Sequence, residues 1–177
     1  MEKTIIGVDN GLDGALCALR DGKIIHKRTM PVIGKSKRQY DVSAILEFFN
    51  EFNEDEFVSV IIEKAQAMPK QGVSSTFKTG YGFGLIEGIV ASMGYTYVIV
   101  TARAWQKEMF AGLSKGDTKK NSIVVAQRFF PKEDFRATER CRIKHHGLTD
   151  ATLLAIYGGA FMGINKEIYE TKKKNKE

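Results

Sequence analysis

Two nearly unbroken apolar runs in this chain each stop on a carboxylate. Thr4–Val8 (TIIGV) leads into Asp9, and Phe57–Ile62 (FVSVII) leads into Glu63. Runs this short and rich in β-branched residues form strands. The second run lacks the alternation of a half-exposed strand, so it belongs in a sheet interior covered on both faces. Whatever this chain folds into must bury two such strands and bring two acids to their ends.

The rest of the sequence supplies the covering. Ala15–Arg20 and Lys23–Thr29 are strand-like and are separated by Asp21-Gly22, a strong hairpin signal. The chain therefore opens with three short antiparallel strands, and Gly34–Gln39 (GKSKRQ) follows as a basic loop. Helical spacing over Asp41–Phe52 places Ile45, Leu46, Phe48, Phe49 and Phe52 on one broad face. Ser74–Met93 is a glycine-rich helix and Tyr95–Val100 another buried strand. Ala102–Phe110 and Thr118–Phe130 are helices, the second stopped by Pro131, and Leu148–Met162 is the last helix. The order β-β-β-α-β-α-β-α-α-α predicts an α/β fold. It is built on one five-stranded mixed sheet: three antiparallel strands, then parallel strands joined by right-handed crossovers, flanked by helices.

With 177 residues and 43% hydrophobic content, the chain has the core of one domain. Residues 1–165 are assigned to it. Residues 166–177 form a basic tail whose lysines, Lys172 to Lys176, are expected to be disordered and solvated. No apolar run is long enough to span a membrane, and the N-terminus does not read as a signal peptide. Cys17 and Cys141 are isolated, so free thiols and a cytoplasmic setting are expected. The net charge of +6 is compatible with a polyanionic partner but is weak evidence by itself.

Four polar positions look costly. Asp9 fits a turn residue in D-N-G, and Glu63 fits the polar end of a strand. If their strands are parallel neighbours, however, the two carboxylates meet, and close anions repel unless a cation lies between them. Asp150 fits a helix-dipole role in the first turn of the last helix. Yet the residues after it (ATLLAIYGGA) are apolar almost all round, so that turn is buried. His146 stands four residues before Asp150 and shares its face if the helix extends that far, whereas His145 points well round the helix. Without the acids, His146 reads as an ordinary loop histidine. Together Asp9, Glu63, Asp150 and His146 suit a hard divalent cation such as Mg²⁺. Two such ions bridged by acids serve phosphodiester cleavage. Zinc through Cys141, His145 and His146 is disfavoured for want of further soft ligands.

Five segments, in order, resemble the RuvC-type Holliday junction resolvases, in the branch found in phages and other viruses as well as bacteria. They are IIGVDNGLDGALC, VIIEKAQAMPKQGVSSTFKTGYGFG, VTARAWQKEMF, GDTKKNSI and HHGLTDATLLAIYGG, spanning about residues 4 to 163. The resemblance implies an RNase H-like fold. It implies a homodimer that makes paired nicks in four-way DNA junctions using Mg²⁺ or Mn²⁺, with no nucleotide cofactor. It puts Asp9, Glu63 and Asp150 on the family acids and His146 on the remaining metal position, where many members carry aspartate. A softer imidazole there shifts preference towards Mn²⁺.

The resemblance also implies DNA contacts. Lys119 and Lys120 fall in its basic segment, Lys120 on the characteristic lysine, which would aid proton transfer; Arg103 and Lys107 flank Trp105 in the segment before. For any one of these, surface solubility is the bland alternative, and Trp105 is expected to pack in the core. Relatives wedge open the junction shortly after the second acid, where this chain offers Met68 and no aromatic. Gly80, Gly84 and Gly88 form a stripe on one helix, each costing about 1 kcal/mol of helix propensity. Close approach of a partner or DNA explains the stripe, as does tight packing on the chain's own sheet. Phe77 and Tyr81, one turn apart, would face the same partner. Two competing readings remain: a non-catalytic branched-DNA-binding module of the same fold, and an ATP-binding protein of the actin and sugar-kinase type. The latter needs a second lobe that 177 residues do not supply.

Overall fold

Lys3–Asp9 (β1), Ala15–Arg20 (β2) and Lys23–Thr29 (β3) form the expected antiparallel meander in the computed structural model, which describes residues 3–53, 57–67, 69–114 and 116–161. Asp21 and Gly22 at the β2–β3 turn both have positive φ, 49° and 69°. That is the turn geometry whose twist suits a tight hairpin. The segment read as a basic loop, Gly34–Gln39, links the strands of a further small hairpin, Val32–Ile33 (β4) with Gln39–Tyr40 (β5). Val42–Asn50 (α1) starts where Asp41 accepts the Ala44 N–H at 3.1 Å. Phe57–Glu63 (β6) and, after Val73–Ser92 (α2), Thr96–Val100 (β7) run parallel on the other side of β1. The sheet order is β3-β2-β1-β6-β7.

Ala102–Met109 (α3), Thr118–Phe129 (α4) and His146–Phe161 (α5) complete the chain as described. The tail and Met68 lie outside the described residues, as does residue 162 at the expected end of the last helix.

Successive strand residues face opposite sides of a sheet. Ile6, Val8, Val60 and Ile62 pack with Phe48, Phe49, Ile86 and Val90 under α1 and α2. Ile5 and Ile61 pack with Trp105, Val125, Leu148 and Leu154 under α3, α4 and α5. Asp9 and Glu63 share the parity of Ile5 and Ile61, so both belong to the α5 side.

Helix α5 is buried on nearly every side and crosses β1 very closely. A Cβ on Gly7 would lie 2.0 Å from the Ala151 carbonyl oxygen, and one on Gly158 would lie 2.1 Å from Ile61 Cγ1. Glycine at these two crossings is what lets the helix backbone rest on the sheet. The helix begins two residues earlier than the sequence predicts, because His145 caps it. The His145 carbonyl accepts the Thr149 N–H at 3.3 Å, and its Nδ1 accepts the Leu148 N–H at 3.3 Å. Thr149, a candidate cap by sequence, instead donates to the His146 carbonyl at 2.8 Å inside the first turn.

Candidate active site

The parallel register pairs Val8 with Ile62, so the next residues, Asp9 and Glu63, end adjacent strands side by side. Asn10 ties the two ends together: its Nδ2 donates to the Glu63 carbonyl at 2.5 Å. The β1–β2 turn closes round Asp9. Gly11 N–H reaches Asp9 Oδ1 at 3.3 Å, and a Cβ on Gly14 would lie 2.9 Å from the Asp9 carboxyl carbon. Trp105, fully buried on α3, donates its Nε1–H to Glu63 Oε2 at 2.7 Å. Asp150 arrives from the first full turn of α5, beside Ser122 of α4.

These acids feel one another. Burial, then Asp150 and Glu63, push the Asp9 carboxyl up to about 8. Burial pushes Asp150 up to about 7; Ser122 opposes this, Glu63 adds to it, and the Lys119 charge also opposes it. Glu63 is raised by burial, against the Trp105 hydrogen bond. All three keep some solvent access. No ion pair within the described residues relieves any of them. An acid cluster without a cation suits a hard divalent metal, which takes oxygen ligands and reverses the repulsion. The side chains stand apart nonetheless: among the described residues, no three His, Cys, Asp or Glu groups are gathered closely enough to hold an ion as they are.

His146 begins α5, one turn before Asp150, but the charges that act on it are those of Lys119 and Asp13 and not those of the three acids. Its ring lies parallel to that of His145, with centroids 5.5 Å apart. Burial and then Lys119 hold His146 below the usual histidine range, while Asp13 opposes them. Burial, then His146, likewise lowers His145. A neutral His145 is what its cap requires, since Nδ1 must be unprotonated to accept the Leu148 N–H.

The expected DNA-facing residues lie outside the acid cluster. Arg103 and Lys107 are exposed on α3, one turn apart, opposite the buried Trp105 and Met109. Lys119 and Lys120 are exposed in the first turn of α4, where Asp117 Oδ1 accepts the Lys120 N–H at 2.9 Å. Of the two, Lys119 is the one whose charge acts on both His146 and Asp150. Phe77 is 72% exposed on α2. A Cβ on Gly80, Gly84 or Gly88 would meet nothing within 4 Å, so packing on the chain's own sheet does not account for the stripe.

The sequence reading missed the Trp105–Glu63 hydrogen bond and the His145 cap. For the first a signal existed: a buried indole N–H needs an acceptor.

This sheet order and its covering helices recur in solved proteins. The chain superposes on Thermus thermophilus RuvC in complex with a Holliday junction substrate with a TM-score of 0.57. Identity is 16%, with 90% of this chain and 96% of that one covered. It superposes on a second Thermus thermophilus RuvC structure with a TM-score of 0.55 at 18% identity, with the same coverages. The fold is RuvC-like. At this identity the likeness is one of architecture. No protein-family model matches the sequence, and no curated protein matches it. In this RuvC-like frame the three acids come from β1, β6 and α5, the two central parallel strands and the helix that crosses them. No helix among the described residues is long and apolar enough to cross a membrane.

Proposed function

We propose that this chain is a structure-selective endonuclease. In this reading it resolves four-way (Holliday) DNA junctions by metal-dependent phosphodiester hydrolysis, as a homodimer making paired nicks. The observation that supports the reading is that Asp9 and Glu63 end adjacent parallel strands of a RuvC-like sheet under the helix that carries Asp150, all three raised by burial and none in an ion pair among the described residues.

Asp9, Glu63 and Asp150 would hold Mg²⁺ or Mn²⁺, with His146 one turn before Asp150 as the further ligand. Such a metal supplies Lewis-acid activation of water and neutralises charge on the phosphodiester. The chain's own groups do the rest. Trp105 aims one Glu63 oxygen, and Asn10 fixes the relative height of the two strand ends. Lys119 and Lys120 bring positive charge from α4; Lys120 matches the family lysine by resemblance, and Lys119 is the one whose charge acts on Asp150. Arg103 and Lys107 extend the phosphate-binding face, since each neutralised phosphate adds affinity. The dimer is assigned to the open glycine stripe of α2, with Val73, 88% exposed, at its start, and Phe77, 72% exposed, is assigned to DNA.

The test is incubation of purified protein with a labelled four-way junction and Mn²⁺ or Mg²⁺. Paired symmetric nicks are expected, with Asp9→Asn, Glu63→Gln and Asp150→Asn retaining binding but losing cleavage. Binding without nicking, with the variants behaving as wild type, would replace this reading with the non-catalytic junction-binding module. Equal activity in the two metals, unchanged by His146→Asp, would remove the Mn²⁺ preference assigned to His146.

A further inference from the structure

Between the β1–β2 turn, β5 and the outer face of α2 lies an open cleft of about 200 Å³, lined by Leu12, Arg38, Gln39, Tyr40, Lys78 and Tyr81. Its aromatic walls are built in. Tyr40 is buried, and its hydroxyl donates to the Asn10 carbonyl at 2.8 Å. Gly82 makes room for it, since a Cβ there would lie 2.0 Å from that hydroxyl. Tyr81 stands with its ring centroid 6.0 Å from that of Tyr40, inclined at 50°, and is half exposed.

The cationic wall is equally fixed. Arg38 donates to Asp13 Oδ1 at 2.6 Å and to the Leu12 carbonyl at 2.5 Å. Those bonds use two of the five N–H donors of a guanidinium and leave the others for a ligand. Lys78 is exposed three residues before Tyr81 on α2 and makes no ion pair among the described residues. A solvated charged face has no need of an arginine pinned by a backbone carbonyl, nor of a tyrosine seated by a glycine.

A pinned aromatic floor, a half-exposed ring and two cations match one ligand unit, a flat base carrying a phosphate. The cleft is also in the right place. Asn10, whose carbonyl holds Tyr40, is the residue whose side chain holds the end of β6. Asp9 is near enough for its charge to act on the Tyr40 phenol.

We infer that this cleft is a nucleotide subsite. It takes one unpaired nucleotide of the strand next to the cleaved phosphate, its base against Tyr81 and its phosphate on Arg38 and Lys78. This rests on the reading of the chain as a junction nuclease. An extruded base is available at a junction centre, where pairing is already interrupted and unstacking costs least.

The experiment uses the full chain and a synthetic four-way junction carrying 2-aminopurine at each central position in turn, without divalent metal. Wild-type binding should change emission at one or two positions. Tyr81→Ala should abolish that change and weaken junction binding roughly tenfold, the scale of losing one base stack. Tyr81→Phe, which keeps the ring, should preserve both. Lys78→Ala should lower the slope of log affinity against log salt by about one. If wild type binds the junction but no position depends on residue 81, and Tyr81→Ala binds as tightly, the subsite is overturned while the junction reading stands. If wild type does not bind the junction, the reading beneath it falls and the subsite with it.

Discussion

Trp105→Phe removes one hydrogen bond from Glu63 and part of a packed ring. The two losses can be separated. The bond is 2.7 Å from Nε1 to Oε2, on an indole with no solvent exposure. A hydrogen bond to a charged group contributes about 1.5–3 kcal/mol. Trimming a buried indole to a phenyl ring costs a further 1–2 kcal/mol, roughly, as a fraction of a full truncation to alanine. The bond favours ionised Glu63 and opposes the burial that raises it. Its contribution is therefore present at pH values above the raised Glu63 pKa and disappears on acidification as Glu63 takes a proton; the packing loss is the same at every pH. A double-mutant cycle with Glu63→Gln isolates the pair. Urea unfolding should be followed by circular dichroism, because Trp105 is the sole tryptophan in the chain and the variant has no indole emission. Expected is a coupling of about 2 kcal/mol near pH 8 that falls towards zero near pH 4. A coupling indistinguishable from zero at pH 8, or one unchanged at pH 4, would refute the argument that this indole orients the carboxylate.

Three further outcomes follow from the same geometry. Asp9 and Asp150 have folded pKa values of about 8 and 7, raised above the unfolded 3.8, so the folded state binds more protons across that interval. Metal-free stability should fall as pH rises from about 4 to 8, with Asp9→Asn flattening the slope and Mn²⁺ or Mg²⁺ restoring stability at the alkaline end; thermal melts across pH measure this. Gly7→Ala drives a methyl to within 2.0 Å of the Ala151 carbonyl and should cost about 1–3 kcal/mol or more in urea unfolding, whereas Gly84→Ala meets nothing within its own chain and should be neutral or stabilising in the monomer. His145→Ala removes the side-chain cap of α5 and should cost about 1 kcal/mol, with His145→Asn recovering most of it.

What was legible in the sequence was local. The Asp21-Gly22 turn and the apolar runs that became β1 and β6 specify their own conformations, and strand parity then carries Asp9 and Glu63 to one face. The side-by-side ends of Asp9 and Glu63 were readable because adjacent parallel strands leave few other arrangements. What was not readable depends on pairing across distance. Trp105 and Glu63 lie 42 positions apart, and nothing near either announces the other. The two-residue strands β4 and β5 exist only through each other and carry too few residues for any periodicity. His145 escaped because histidine is an unusual cap; its role needs a ring held neutral by burial and by the neighbouring His146, which no local pattern encodes.

The crossing of α5 over β1 has a consequence for the chain during its own synthesis. Asp9 emerges near the beginning and Asp150 near the end, and the helix bearing Asp150 also covers the apolar side of β1. A partly made chain thus lacks the third acid and the covering helix together. Contacts this far apart in sequence form late and slowly. Assembly of the acid cluster and burial of the sheet become one event, so on the proposed reading no fragment ending before α5 would be released as a working nuclease.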